Sequence, residues 1–199
     1  MIPDKMEPTN QLLIEHVARY QFAMPFVQGK VLDFACGSGY GTHMIAKQAK
    51  DKIDQVLGVD IDPDALKYAE GRYYHPKSKF IEGDVTDPDL PNQLGEFDTI
   101  VSFETIEHVA EEKVFLKNVY QLLKPGGQLI LSTPFGEGRG IPSGNPFHVH
   151  QITVEEFKHL FDGFAYQSIE FYYQKGALIV PESYDSDQHF PLGIAVCKK

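Results

Sequence analysis

Cysteine is scarce in this 199-residue chain: Cys36 and Cys197 are the only two. That is too few for a disulfide framework, so the fold must rest on a packed core, and the reduced cytoplasm is the expected compartment. Basic residues are also outnumbered. Eighteen Lys and Arg stand against 28 Asp and Glu, a formal charge of −10. That balance argues against a broad surface that tracks phosphates and fits a role of the acidity in solubility. Long apolar runs are missing too: no early stretch reads as a signal peptide and none is long enough to span a membrane. Repeats and low-complexity tracts are absent. What the chain does have is 42% hydrophobic residues, enough for one sizeable core, so a single domain over 1–199 is expected.

The most informative segment is 31–41, Val-Leu-Asp-Phe-Ala-Cys-Gly-Ser-Gly-Tyr-Gly, an apolar strand entering a glycine-dense turn. About twenty residues later a second apolar strand ends at Asp60. Glycines at 37, 39 and 41 let the backbone turn sharply and approach a ligand, and the following helix presents unpaired N–H groups at its start. An acid ending the next strand accepts hydrogen bonds from both ribose hydroxyls. The pair therefore reads as a nucleoside cofactor site. A dinucleotide site normally shows Gly-x-Gly-x-x-Gly, whereas this turn is Gly-x-Gly-x-Gly with Asp33 ahead of it. That carboxylate repels a pyrophosphate and attracts a cation such as an ammonium group.

Periodicity and punctuation then lay out the rest. Thr9 or Asn10 caps a helix through about Val27. Strands at 31–35, 55–60, 79–82, 97–102 and 127–133 alternate with helices at about 42–50, from Asp62-Pro63, and at about 111–123, the pattern of a parallel sheet. The stretch between strands three and four, with Pro88 and Pro91, reads as a loop. Residues 134–150 hold Gly136, Gly138, Gly140, Pro142, Gly144 and Pro146 and predict a mobile loop over the pocket. A short helix near Thr153–Phe161 and two strands, about 165–173 and 192–197, follow.

The chain resembles the class I S-adenosylmethionine-dependent methyltransferases, in particular the type 11, ubiquinone-pathway-like O-methyltransferase group. The resemblance covers roughly residues 10–165. It rests on the turn at 33–41, Asp60, Glu82-Gly83-Asp84, Phe97-Asp98-Thr99-Ile100-Val101-Ser102 and Leu123-Lys124-Pro125-Gly126-Gly127, in that order. It implies an α/β fold with a Rossmann-like doubly wound sheet of order 3-2-1-4-5-7-6, mostly parallel with an antiparallel C-terminal strand and helices on both faces. S-adenosylmethionine is the implied cofactor and S-adenosylhomocysteine its product. The implied cofactor residues are Tyr20, Asp33, Ala35, Gly37, Gly39, Asp60, Ile61, Asp84, Val85 and Phe103. Asp60 takes the ribose, Ile61 packs on the adenine, Asp84 accepts its exocyclic amine, and Val85 supplies a backbone N–H. Residues 1–27 become a lid helix, with Tyr20 near the methionine portion and Arg19 able to meet its carboxylate. Cys36 is a small packing residue there; no acyl-transfer partner supports a nucleophile.

The segment Phe103-Glu104-Thr105-Ile106-Glu107-His108-Val109 carries the chemistry after the turn. Positions i, i+3 and i+4 share a helix face, so Glu104, Glu107 and His108 are expected to meet. His108 then serves as a general base or orients one, with Glu104 and Glu107 beside it. Similar Glu-x-x-Glu-His segments in ubiquinone-pathway O-methyltransferases and small-RNA 2′-O-methyltransferases bind a metal. The resemblance thus implies a Mg²⁺ or Mn²⁺ site, or another divalent ion, at Glu104, Glu107, His108 and His148. Phe147, His148 and His150 are expected on the substrate side because they sit exposed in a loop. The expected activity is methyl transfer to an oxygen, less readily a nitrogen, of a small polar metabolite such as a sugar or phenol. The competing readings are a silent cofactor-binding protein and a metal-dependent RNA 2′-O-methyltransferase, the latter disfavoured by the acidic balance. Nucleic acid and membrane are not expected partners, and the assembly is a monomer or homodimer.

Overall fold

The computed structural model describes residues 2–184 and 187–199. Eight strands form one sheet in the order β3-β2-β1-β4-β5-β8-β6-β7. The parallel half comprises β1 (Gly29–Phe34), β2 (Ile53–Asp60), β3 (Ser78–Glu82), β4 (Phe97–Phe103) and β5 (Leu123–Pro134). The C-terminal half is antiparallel: β8 (Leu192–Lys198) pairs with β5 and with β6 (Ser168–Lys175), and β7 (Leu178–Pro181) pairs with β6. The expected order holds with one addition. A hairpin returning from β6 adds β7 at the edge, because Gly176 supplies the left-handed turn, with φ of 61°, that the chain needs to reverse.

Helix α1 (Gln11–Ala23) is capped by the Asn10 side chain, which accepts from the Leu13 N–H, and stops four residues earlier than its pattern predicts. Then come α2 (Tyr40–Gln48), α3 (Pro63–Arg72), α4 (Leu90–Leu94), α5 (Glu112–Leu122) and α6 (Val154–Lys158). The short α4 lies where the prolines suggested only loop. Pro91 sits within its first two positions, where a missing N–H does no harm. Two apolar layers cover the sheet. Leu32, Phe34, Ile100, Leu129 and Ala195 pack with Phe115, Val119 and Phe157 on the α5 and α6 side. Val31, Val56, Val101, Ile130 and Ile194 pack with Tyr20, Ala23, Ile45 and Ala46 on the α1 and α2 side. Neighbouring strand residues thus go to opposite layers, the period-two alternation of a sheet covered on both faces. Among the described residues no helix is long and apolar enough to cross a membrane.

Candidate functional site

In an open α/β sheet the crevice lies beyond the carboxyl ends of the strands, where the strand order reverses. Here that point is between β1 and β4. The first residues beyond these two strands, Ala35 and Glu104, are the two non-glycine positions with left-handed backbone among the described residues, φ 69° and 53°. Such conformations store of order 1–3 kcal/mol each and collect at functional sites. They turn the chain sharply aside and leave a cleft with two chambers of about 600 and 630 Å³. Ala35, Gly37, Glu104 and His108 line both.

The first chamber holds the residues expected to meet an adenosine. Asp60 Oδ2 accepts the Gly37 N–H at 2.6 Å and Oδ1 the Asp62 N–H at 3.0 Å. Each oxygen keeps lone-pair capacity toward the cleft, since a carboxylate offers about four acceptor sites. Gly37 has φ 54°, and no protein atom lies within 4 Å of where its Cβ would stand, so the space in front of the turn is open to a ligand. Ile61 is a 62% exposed apolar lip, and it lines the chamber with Asp84 and Val85. Asp84 Oδ1 accepts the Thr86 N–H and hydroxyl at 2.8 and 2.7 Å, which directs its carboxylate along the rim.

Two expected cofactor contacts are corrected. Asp33 follows Val31 and Leu32, so the sheet alternation sends it to the α1 and α2 layer, where it is 1% exposed. Tyr20 and Thr42 hydroxyls donate to it, Thr42 at 2.6 Å and Tyr20 at 3.1 Å to Oδ1. Burial raises its pKa to about 6, against those hydroxyl donors. Its task is to seat Tyr20, which lines the second chamber edge-on to Phe103 and Tyr40. Gly41 makes this possible, because a Cβ there would fall inside the Tyr20 ring. Gly39, with φ 78°, abuts Ala69 and Phe80, so it is a packing glycine. Arg19 is not among the residues that line the cleft: it is 1% exposed, and its Nη1 donates to Gln174 Oε1 at 2.9 Å, but from beneath the second chamber its charge acts on Glu104, Glu107 and His16. Cys36 is buried, and burial pushes its thiol pKa up, as befits packing.

The second chamber carries the ionisable groups. The segment after β4 is a single 3-10 turn, Ile106–His108, preceded by left-handed Glu104, so the helical-face argument fails for Glu104. Its Oε1 takes the Ser132 hydroxyl at 3.3 Å. Burial raises its pKa, opposed chiefly by the nearby Arg19 charge. Glu107 is 1% exposed and accepts the Thr133 hydroxyl on Oε2 at 3.2 Å, while buried Oε1 has no hydrogen-bond partner among the described residues. Burial first and the Glu104 charge second raise its pKa to about 8. His108 Nδ1 lies 2.8 Å from the Phe147 carbonyl. A carbonyl only accepts, so Nδ1 carries a proton, and in the neutral ring Nε2 is the nitrogen that bears the lone pair. That Nε2 is 3.8 Å from Glu107 Oε1. The rings of His108 and His148 meet edge-on at 4.8 Å. Ligand atoms of Glu107, His108 and His148 all lie within 4.8 Å of one another; Glu104 stands outside this set.

Loop 134–150 does cover the cleft: Asn145, Phe147 and His148 line the second chamber and Val149 the first. His150 does not reach it. Its ring is mostly buried against Glu112, 3.1 Å away, because the Val149 and His150 N–H groups both point to the Glu107 carbonyl and turn the chain outward. One pair escaped sequence reasoning. His16 lines the second chamber with Nδ1 3.1 Å from the Tyr40 hydroxyl, and burial, aided by Arg19, lowers its pKa to about 3. The signal was a histidine one turn before Tyr20 on α1.

A family model described as "Methyltransferase domain" matches residues 32–131. A "Probable S-adenosylmethionine-dependent methyltransferase" of Mycobacterium tuberculosis is 32% identical over 164 residues, 80% of this chain and 56% of that protein. A "Ubiquinone biosynthesis O-methyltransferase" of Xanthomonas euvesicatoria is 29% identical over 128 residues, 62% of this chain and 49% of its own length. The chain thus spans about half the length of these relatives. A crystal structure of a SAM-dependent methyltransferase from Archaeoglobus fulgidus superposes with a TM-score of 0.69 at 15% identity, over 96% of this chain and 95% of the other, which shows the shared fold.

Proposed function

The chain belongs to the S-adenosylmethionine-dependent methyltransferases, and from that premise we propose that it methylates a hydroxyl of a small polar metabolite such as a sugar or phenol. When bound, S-adenosylmethionine supplies an electrophilic methyl carbon. Asp60 would hold the ribose, Ile61 the adenine face, Asp84 the exocyclic amine and Val85 a ring nitrogen. The open cradle at Gly37 fits that ligand, and Tyr20 with Phe103 would close over its methionine end.

The observation that carries the acceptor reading is the orientation of the His108 imidazole. Its protonated Nδ1 is fixed on Phe147, and its Nε2 lone pair lies beside Glu107 in the chamber that adjoins the adenosine side. A hydroxyl is a weak nucleophile, so removal of its proton to Nε2 as the new bond forms lowers the barrier. Glu107 stabilises the imidazolium that results. Burial and the Glu104 charge raise the Glu107 pKa, and an imidazolium at His108 opposes that rise and favours the carboxylate form. The remaining catalysis is alignment and exclusion of water by Tyr20 and the 134–150 loop. Incubation with methyl-labelled S-adenosylmethionine and a metabolite-rich extract tests this: label is expected in the low-mass fraction. Label in RNA or protein would overturn the acceptor class.

A second reading is favoured by the unpartnered, buried Oε1 of Glu107. With His108 Nε2 and a ring nitrogen of His148 it offers one carboxylate and two imidazoles, a donor set suited to Mn²⁺, Fe²⁺ or Zn²⁺ more than to Mg²⁺. The Phe147 carbonyl on Nδ1 is the kind of outer partner that orients a ligating histidine. Such an ion would lower the pKa of an acceptor hydroxyl. The amides of Asn145 and Gln151, each 2.9 Å from a ring nitrogen of His148, would then have to release one nitrogen.

A further inference from the structure

Residues 136–151 contain neither helix nor strand, and left-handed glycines at 138, 140 and 144 give the backbone little intrinsic reason to keep one path. Yet the path ends on the two groups the acceptor chamber depends on. The Phe147 carbonyl receives His108 Nδ1, and the Val149 N–H donates to the Glu107 carbonyl at 2.8 Å. One guanidinium ties this path to two helices. Arg139 sets Nη2 2.8 and 3.0 Å and Nε 3.2 Å from the two Glu112 oxygens at the start of α5. Its Nη1 reaches Glu156 of α6 at 3.3 Å.

Isolated surface pairs contribute little, but bidentate, networked arginine pairs are the exception. Here Glu112 is 17% exposed and also faces His150. Glu156 is held independently, accepting the Thr153 N–H in the capping box of α6. Both acids therefore sit on rigid helix starts. Arg139 bridges them from the loop.

We propose that Arg139 is a positioning residue for methyl transfer: its fork across Glu112 and Glu156 seats residues 145–150, and the seated Phe147 carbonyl sets the His108 tautomer. With the loop displaced, Nδ1 loses its acceptor, and the ring is free to carry its proton on Nε2, where it can neither take an acceptor proton nor bind a cation. The inference rests on His108 as base or ligand. It requires no particular acceptor.

The test uses ¹⁵N-labelled, chelator-treated full-length protein at a pH where His108 is neutral, with the His108 ring signals assigned by their loss in His108→Gln. The wild type is expected to show a protonated Nδ1 and a pyridine-like Nε2. In Arg139→Ala the ratio should move toward Nε2–H by about fivefold, equivalent to one neutral hydrogen bond of about 1 kcal/mol, and Glu112→Gln should move it the same way. Arg139→Lys, which keeps the charge but not the fork, should restore part of the wild-type ratio. S-adenosylhomocysteine affinity, read by calorimetry, should stay within about twofold in all three variants. An unchanged His108 tautomer in folded Arg139→Ala and Glu112→Gln overturns the proposal. Failure of the wild type to bind S-adenosylhomocysteine would instead strike the cofactor assignment and leave the tautomer result standing.

Discussion

Replacing Asp60 with alanine separates two jobs that one carboxylate performs. Its oxygens brace the glycine turn through the Gly37 and Asp62 N–H groups, and their remaining lone pairs face the chamber where a ribose would lie. Hydrogen bonds to a charged acceptor contribute about 1.5–3 kcal/mol each. Loss of the ribose contacts should therefore weaken S-adenosylhomocysteine at least tenfold, roughly 1.4 kcal/mol, and by more than roughly a hundredfold if both are lost in full. The two freed backbone donors border the open cleft, so water can replace the carboxylate and the fold should survive. Calorimetry with S-adenosylhomocysteine and with its 2′,3′-dideoxy analogue tells the jobs apart. The wild type should bind the analogue at least tenfold more weakly than the parent, roughly 1.4 kcal/mol. Asp60→Ala should bind the two alike, because the group that distinguished them is gone. If the gap between parent and analogue persists in the variant, or if the folded variant keeps full affinity, Asp60 only braces the turn and the ribose assignment fails.

Gly41→Ala drives a Cβ into the Tyr20 ring and should destabilise the protein by about 2 kcal/mol or more, read by thermal unfolding. Gly37→Ala meets no protein atom within 4 Å, so it should cost only about 1–2 kcal/mol of left-handed strain while abolishing S-adenosylhomocysteine binding; retained binding would place the ligand elsewhere. Asp33 has its folded pKa raised to about 6 from 3.8. A raised acid binds more protons folded than unfolded, so its contribution to stability falls as pH rises from about 4 to about 6. The denaturation midpoint of Asp33→Asn relative to wild type should accordingly climb over that window, by the equivalent of about 3 kcal/mol, and a flat difference would contradict it. Mn²⁺ titrated into chelator-treated protein should bind with one-to-one stoichiometry and lose roughly tenfold or more in affinity in Glu107→Gln or His148→Ala; variants that bind as wild type would dismiss the cluster as a metal site.

The linear order of residues determined the parallel strands, the glycine turn and Asp60 at its strand end, because these are local signals: apolar runs of strand length, glycines at fixed spacing, an acid at a strand end. It also singled out Glu107, His108 and the covering loop, which the fold brings to one chamber. What it could not decide is which way a side chain faces once layers pack. Asp33 stands next to the turn in sequence, but sheet alternation buries it beneath Tyr20 and Thr42. Glu104 and His108 fit a helical face on paper, but a left-handed residue and one 3-10 turn separate them. His148 and His150 are two residues apart, and the Glu107 carbonyl bends the chain so that His148 joins the cleft while His150 joins Glu112. Arg139 gave no sequence signal at all, since its partners Glu112 and Glu156 lie 27 and 17 residues away. Local geometry is encoded within a few residues of chain, whereas the sharing of a carboxylate, a carbonyl or a guanidinium between distant segments exists only after the sheet and its two helical layers have closed.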